Sequence, residues 1–494
     1  MKPASRNQQT PPPALTWTHL LASSSIYDCA DGPQWFRALL REHNAGRPAA
    51  GSAASAEACA ITWGTPGWGR HSCLPSNRKW EADKNVCPTI PVGHPFPELC
   101  AHPAGEHGMT VAINCRHFPG KALRQSGFKY LRHLAVLPNL RSARWLVPLD
   151  SPAVASAGLS LYTPSRTSAK LKRAAARAAM RVGLPIWYRD HIWIAQRELP
   201  PLELSLRSLF PGDDIRIALS SGAPEGARNR KASALAIAPD GRMLGFAKLA
   251  RSPIARQIAG NEALVLQQLA RIPAIAGAAP RLMFDGEVDG NRVMVQTPLA
   301  GHPAPLGTTP AHRRFLDALQ SDERIPAAQT ATVTGLPGRL RALPMPADDL
   351  LAIFDAVVPT LGEFKAPVTI IHGDFAPWNL RLHRGQLAAF DWEYGEPRGL
   401  PLLDEIHYRL QSGWLLEDWH TQAALQCLHD LCARRPLGLL PEQAQAIVII
   451  YLLDAMARLL GEGYTDDQDV ILWHRRLLDR LAPRAMAARE AVVV

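Results

Sequence analysis

The spacing of apolar and polar positions divides the chain into stretches of different character. Residues 1–115 carry PPP, GRPAAGSAASAEA and TPGWGRHSCLPSNRKW and hold neither a helical nor a strand period for long. One short helix is predicted there, Pro33 to His43, where Trp35, Leu39 and Leu40 share a face. The segment Gly69 to Thr89 reads like translated repeat DNA, which makes Met109 a candidate start; a disordered N-terminal extension is the other reading. From 116 to 212 the pattern is that of a folded chain, with apolar and aromatic residues recurring between Phe128 and Asp150. Ser151 to Arg189 contains no acidic residue, and within it TSAKLKRAAARAAMRVG predicts a helix with Ser168 as N-cap and Gly183 as stop. Lys170, Arg173, Arg177 and Arg181 form one basic stripe on that helix, beside an apolar stripe of Leu171, Ala175, Ala178 and Val182.

Strand patterns dominate from Asp213 onward. Ile215 to Gly222, Lys231 to Ala238 and Met243 to Ala250 read as strands, the last two joined by the turn Pro239-Asp240-Gly241-Arg242. A helix follows from near Pro253, containing Glu262 and the apolar anchors Leu264, Leu266 and Leu269; two more strands lie in PRLMFDGE and NRVMVQTPL. Past Gly301 the pattern is mostly helical, with helices predicted over Ala311 to Leu319, Ala347 to Phe364, Leu402 to Ser412, around Trp414 to Cys432, Pro441 to Leu460 and Asp467 to Leu481. At 494 residues the chain exceeds the usual single core. The expected division is 1–115 as a poorly ordered extension, 116–212 as a basic ancillary region, 213–300 as a small sheet lobe and 301–494 as a helical lobe.

The chemistry-bearing stretch is Val368 to Asp391, VTIIHGDFAPWNLRLHRGQLAAFD. A β-branched run leads into His372-Gly373-Asp374, Asn379 follows five residues after Asp374, and a second apolar strand delivers Asp391. One carboxylate to orient and deprotonate an attacking hydroxyl, and an amide oxygen with a second carboxylate to hold metal ions, are what phosphoryl transfer requires. The spacing matches a kinase catalytic loop followed by its metal-binding Asp. With Asp391-Trp392-Glu393 and Asp404 in LPLLDEIHY, this stretch resembles the aminoglycoside phosphotransferase and choline kinase family, the small-molecule branch of protein-kinase-like enzymes. The resemblance covers roughly residues 213–460. It implies an α+β, two-lobed protein-kinase-like fold, a small antiparallel-sheet lobe plus a mainly helical lobe, preceded here by the N-terminal extension.

It also implies roles. Asp374 is the expected catalytic base, with His372 buttressing its loop. Asn379 and Asp391 are the expected Mg²⁺ ligands; Glu393 either assists through a metal-bound water or pairs with an arginine. Lys248 resembles the small-lobe lysine that meets the nucleotide phosphates and Glu262 the helix glutamate that holds it. Ser221 and Gly222, in SSGAPEGARNRK, open the expected phosphate loop, which departs from the Gly-rich pattern of protein kinases and also reads as an ordinary basic hairpin loop. Gln296 and Leu299 bound the expected adenine-binding hinge, where Pro298 lacks an N–H. The implied function is transfer of the γ-phosphoryl group of ATP, or GTP, to a hydroxyl of a small molecule or glycan. The alternative is a catalytically silent kinase-like binding module.

Charge and composition then narrow the partners. A net charge of +10 and a pI of about 9.4 favour anionic partners without choosing among them. The basic balance argues against polycationic acceptors, which acidic residues would hold. The basic helix can lie on an anionic membrane surface, or it can be a face packed on its neighbour; nucleic acid is not the expected partner. No run of 18 apolar residues occurs, and Ala446 to Leu460 carries Asp454 and Arg458, so it reads as a buried core helix. MKPASRNQQTPPP lacks an apolar signal region, and a cytoplasmic setting is expected. None of the eight cysteines makes a C-x-x-C pair, so reduced, unpaired thiols are expected.

Overall fold

Alternating strand residues and long apolar helices separate into two units in the computed structural model, which describes residues 59–63, 109–113, 118, 120–125, 127–139, 143–162, 167–181, 187–222 and 231–490. The first unit comprises Met1–Arg256 with Met283–Val295, and the second Gln257–Leu282 with Gln296–Val494. The predicted helix Pro33 to His43 lies outside the described residues, as does most of the expected phosphate loop.

In chain order the first unit contains β1 (Cys59–Trp63), β2 (Met109–Ile113), α1 (Gly120–Gln125), β3 (Tyr130–Leu137), β4 (Trp145–Pro148), α2 (Pro152–Gly158), α3 (Thr167–Arg181), β5 (Asp190–Gln196), α4 (Pro201–Leu209), β6 (Arg216–Ser220), β7 (Ala232–Ile237) and β8 (Met243–Ala250). Helix α5 (Pro253–Leu269) then runs into the second unit, and β9 (Leu282–Val288) and β10 (Asn291–Gln296) return to the first. The strands make one sheet in the order β1-β2-β5-β3-β4-β6-β7-β8-β10-β9. The ancillary region and the expected small lobe therefore share a sheet, because Trp145 and Leu146 of β4 pair antiparallel with Ser220 and Leu219 of β6. That pairing covers an edge of β6 that would otherwise be open. The stretch expected to be a poorly ordered extension supplies β1 and β2, which pair in parallel. Neither β1 nor β2 stands out by period in the sequence; pairing, of β1 with β2 and of β2 with β5, makes them strands.

Side chains alternate across this sheet with the two-residue period of a strand. Leu134 and Val136 of β3 join a core with Leu202, Leu206 and Phe210 at α4, whereas Ala135 between them packs with Val147, Ala155, Leu159 and Met180 under α2 and α3. Helix α2 starts on a Ser151 Oγ cap that accepts from Val154 N at 3.2 Å, with Pro152 in its first turn. The expected basic stripe of α3 is partly turned inward: Arg173 donates to Tyr162 O at 2.8 Å, and Arg177 to Ser160 Oγ at 3.0 Å. Leu171 of the expected apolar stripe is instead 67% exposed. Leu264 of α5 is likewise exposed, while Leu266 and Leu269 are buried.

The second unit continues with β11 (His302–Pro303), α6 (Pro310–Ala318), β12 (Gln320–Pro326), α7 (Ala331–Arg341), α8 (Asp348–Val357), β13 (Lys365–Ile371), β14 (Leu380–His383), β15 (Gln386–Ala389), β16 (Glu396–Gly399), α9 (Leu403–Leu416), α10 (Thr421–Ala433), α11 (Pro441–Glu462) and α12 (Asp469–Glu490). Helix α7 escapes sequence reading because Gly335, Pro337 and Gly338 interrupt it. Its Val333, Leu336 and Leu340 are buried, so tertiary packing overrides propensity. The span around Trp414 to Cys432 divides between α9 and α10, with Asp418 between them at φ 52. Helix α11 is long and apolar enough to cross a membrane by length and composition, yet 72% of its apolar window is buried inside the protein. It is the centre of a core built from α7 to α12.

Leu452 of α11 is fully buried, so Leu452→Ala is expected to lower unfolding free energy by about 2–5 kcal/mol. Leu171→Ala, on the exposed side of α3, is expected to stay within about 0.5 kcal/mol. Denaturant titration of both variants checks the pair; a large loss at Leu171 would mean that α3 presents its other face inward.

Candidate active site

Strand β13 is buried along six of its seven residues and pairs antiparallel with β12 and β16, giving a rigid base that ends at His372. Gly373 follows at φ +76, where a Cβ would lie 2.2 Å from Tyr394 O. Only glycine fits, which accounts for the middle residue of His-Gly-Asp. Pro377–Asn379 then makes a 3₁₀ turn into the β14–β15 hairpin, in which His383 pairs with Gln386 around Arg384 and Gly385, both at positive φ. Two left-handed residues are the requirement of a tight type I′ hairpin. Phe390 N donates to Asn379 O at 3.0 Å, which places Asn379 beside the residue preceding Asp391. Asp391 itself sits at φ 71, a strained value for a non-glycine residue.

The Asp374 carboxylate is gripped on both oxygens. Oδ1 lies 2.9 Å from His407 Nε2, and Oδ2 accepts from Asn379 Nδ2 at 2.8 Å. Its side chain retains 27% exposure, against 2% for His407. Burial acts to raise its pKa, but the His407 hydrogen bond and the nearby positive charge of Arg458 outweigh this and hold the carboxyl below its usual value. Asp374 is thus an ionised, oriented carboxylate with one open side.

His372 is fully buried and has both ring nitrogens engaged: Nδ1 accepts from Asp374 N at 3.2 Å, and Nε2 lies 3.0 Å from Phe390 O. Burial pushes its pKa down to about 4, so the ring is neutral and braces the loop against β15 and Trp392. Asp404, in the first turn of α9, accepts His372 N at 2.7 Å and Gly373 N at 3.0 Å. Desolvation raises its pKa to about 6, only partly offset by those two hydrogen bonds. Arg458 of α11 donates to Gly373 O at 2.6 Å and lies 4.8 Å over the Tyr394 ring.

Glu262, Asp391 and Glu393 bring carboxylate oxygens within 4.8 Å of one another. Glu262, the glutamate expected to hold Lys248, is also gathered with Asp391 and with Glu393, for which a metal-bound water and an arginine are the two expected partners. Asn261, next to Glu262 on α5, fixes this approach by donating to Glu393 O at 3.1 Å and Gly395 O at 2.9 Å. An all-oxygen set of carboxylates suits a hard divalent cation such as Mg²⁺. Of the other sequence-assigned residues, Lys248 is buried on β8 of the first unit. Ser221 is also buried there, its N–H donating to Arg144 O at 2.9 Å. Gly222 sits at φ +74, where a Cβ would strike Lys231 O at 1.7 Å. Gln296 is buried at the end of β10 and Leu299 is half-buried beyond it.

Sequence reading missed His407, Tyr451 and Arg458. His407 stands three residues after Asp404, hence on the same helical face, which is a signal that could have found it. Tyr451 and Arg458 are seven apart on α11 and share a face in the same way, but sit in a helix read only as core.

No protein-family model and no curated protein matches the chain. Among solved structures it is similar to a thermostable mutant of the aminoglycoside phosphotransferase APH(4)-Ia in ternary complex with ADP and hygromycin B, at 15% identity and a TM-score of 0.40 over 57% of this chain and 98% of that one. A choline/ethanolamine kinase family protein from Mesorhizobium loti is similar at 17% identity and a TM-score of 0.31, over 52% of this chain and 84% of that one. Macrolide 2'-phosphotransferase type I follows at 15% identity and a TM-score of 0.35, over 57% of this chain and 96% of that one.

Because the folded-state pKa of Asp404 is raised, the folded protein binds more protons than the unfolded chain between pH about 4 and about 6. Its contribution to stability is therefore full below that window and is lost as pH rises through it. Asp404→Asn lacks this titration. The stability of the wild type relative to Asp404→Asn should fall by roughly 3 kcal/mol across the window, for a shift of about two pKa units, and then level off. Urea unfolding of both proteins across this pH range checks it; a constant difference would contradict the raised pKa.

Proposed function

We propose that the chain is an ATP- or GTP-dependent phosphotransferase that acts on a hydroxyl of a small molecule or saccharide in the cytoplasm. The observation that carries this reading is the Asp374 carboxylate, held on both oxygens yet open on one side, in a loop whose partner strand delivers Asp391. An ionised carboxylate of that kind is suited to accept the proton of an attacking hydroxyl. As the acceptor oxygen bonds to the γ-phosphorus, its proton passes to Asp374. The bond from the γ-phosphorus to the bridging oxygen breaks, and nucleoside diphosphate leaves. Little pKa adjustment is needed, since orientation and charge supply most of the rate.

Asp391, Glu262 and Glu393 would hold Mg²⁺, with Asn379 as the further ligand that the sequence resemblance assigns; when bound, the ion neutralises the charge of the triphosphate. His372 and Asp404 fix the backbone on which Asp374 stands. Lys248, Ser221, Gly222, Gln296 and Leu299 keep the nucleotide-contacting roles that the sequence resemblance gives them. The donor set favours this reading over a silent module, since binding alone needs no oriented carboxylate on the acceptor side.

Base and metal ligands do different work, so their loss should look different. Asp374→Ala is expected to leave magnesium-dependent nucleotide affinity nearly intact while turnover falls by about 10²–10⁴-fold. Asp391→Ala is expected to weaken the magnesium-dependent part of nucleotide affinity as well. Calorimetry with and without Mg²⁺, alongside slow hydrolysis of ATP or GTP to water, measures both. A wild-type protein without magnesium-dependent nucleotide binding would sink the assignment. Binding without turnover to water or to any hydroxyl compound would favour the silent module.

A further inference from the structure

We infer that His407, itself oriented by Tyr451, is a positioning residue that locks the Asp374 carboxylate in the plane needed for hydroxyl activation. The inference rests on the phosphotransfer reading and adds to it a residue pair that the catalytic-loop motif does not contain.

A carboxylate on a short side chain turns easily about its last torsion, whose preference is broad. One donor leaves that rotation open; two donors on different oxygens close it. Asn379 Nδ2 supplies the first at 2.8 Å, from within the loop. His407 Nε2 supplies the second at 2.9 Å, from 33 residues away on α9. The second cannot be replaced by water, since His407 is 2% exposed. On the far side of the ring, Tyr451 Oη lies 3.1 Å from His407 Nδ1. Tyr451 is buried on α11, and burial raises the pKa of its phenol, so it remains a donor. A hydroxyl proton directed at Nδ1 leaves the ring proton on Nε2, where it faces Asp374.

The charge state suits the task. Burial depresses the His407 pKa more than Asp374 raises it, so the imidazole is neutral. A neutral donor orients the carboxylate without cancelling its negative charge, which a protonated histidine would do. Arg458, on the same helix as Tyr451, supplies fixed positive charge through the loop backbone at Gly373 O. Helix α9 thus acts on three consecutive loop residues: Asp404 holds the backbone of His372 and Gly373, and His407, one turn on, holds the side chain of Asp374.

The test compares His407→Leu, His407→Gln and Tyr451→Phe in the full chain, reading kcat for magnesium-dependent ATP hydrolysis, KM for ATP and nucleotide affinity by calorimetry. Glutamine keeps an N–H donor; leucine keeps only bulk. We expect kcat to fall ~100-fold in His407→Leu, the scale that misplacing a reacting group brings. His407→Gln should retain most of the activity, Tyr451→Phe should fall between them, and KM and nucleotide affinity should stay unchanged in all three. A packing role predicts that leucine serves as well as glutamine, and that result overturns the inference. Imidazole nitrogen NMR of the wild type, with the His407 signal identified by its loss in His407→Gln, should show a neutral ring protonated on Nε2; protonation on Nδ1 overturns it independently. If the wild type turns over no nucleotide, the phosphotransfer reading falls and the positioning role falls with it. If the wild type is active and only the glutamine-over-leucine order or the tautomer fails, the positioning role alone falls.

Discussion

The buried carboxylate of Asp404, accepting two consecutive backbone N–H groups from His372 and Gly373, is the interaction on which the site depends. A strand that leaves its sheet inside a protein loses its ladder partners, and unmet N–H groups there are costly. Asp404 meets two of them at the residues where β13 ends. It does so from the first turn of α9, where the helix dipole favours a negative charge. This fixes the position of the loop, and the loop in turn presents Asp374. The raised pKa of Asp404 is the cost of this arrangement, since desolvation exceeds what the two hydrogen bonds return.

Around that anchor the polar groups are layered by exposure. His372, His407 and Tyr451 are buried and neutral, and they set geometry. Asp374 keeps an open side and stays ionised. Buried groups that act as donors without carrying charge avoid the penalty of an unpaired ion, and they leave the local negative charge for the reacting group. The carboxylates of Glu262, Asp391 and Glu393 follow the opposite logic. Like-charged carboxylates within 4.8 Å of one another would repel, and a divalent cation would offset that repulsion. The strained φ of Asp391 belongs to the same pattern, with local cost concentrated where chemistry is placed.

The first unit uses its basic side chains differently from what a helical wheel suggests. Arg173 and Arg177 spend their hydrogen bonds inside the unit, on Tyr162 O, Ser156 O and Ser160 Oγ. The long stems of arginine let a helix bury aliphatic carbon while its guanidinium satisfies carbonyls. A stripe of positive charge in sequence therefore does not by itself make an anionic-surface site. Arg144 shows the same economy of contact: its guanidinium donates to Gly222 O and its own carbonyl accepts from Ser221 N, tying down the residues that open the expected phosphate loop.

By itself the sequence determined whatever depends on local spacing. Strands β6 to β10, helix α5 and most helices after Gly301 followed from periodicity, because a half-buried strand or helix writes its buried face into the chain at fixed intervals. His372, Asp374, Asn379 and Asp391 were legible because the hairpin that joins them is short, so sequence distance and spatial distance agree. Tertiary structure decided what depends on long-range pairing. It joined the ancillary region to the small lobe through β4 and β6, and it made strands of Cys59–Trp63 and Met109–Ile113. Packing also stabilised α7 across Pro337. It brought Glu262 to Asp391 and Glu393, 129 and 131 positions further along the chain. The interval from Asp404 puts His407 on the right face of α9, but its contacts with Asp374 and, through the packing of α9 against α11, with Tyr451 were decided by the tertiary structure. The physical reason is that a hydrogen bond across a folded core is set by how helices pack, whereas a motif is set by how far a few residues of backbone can reach.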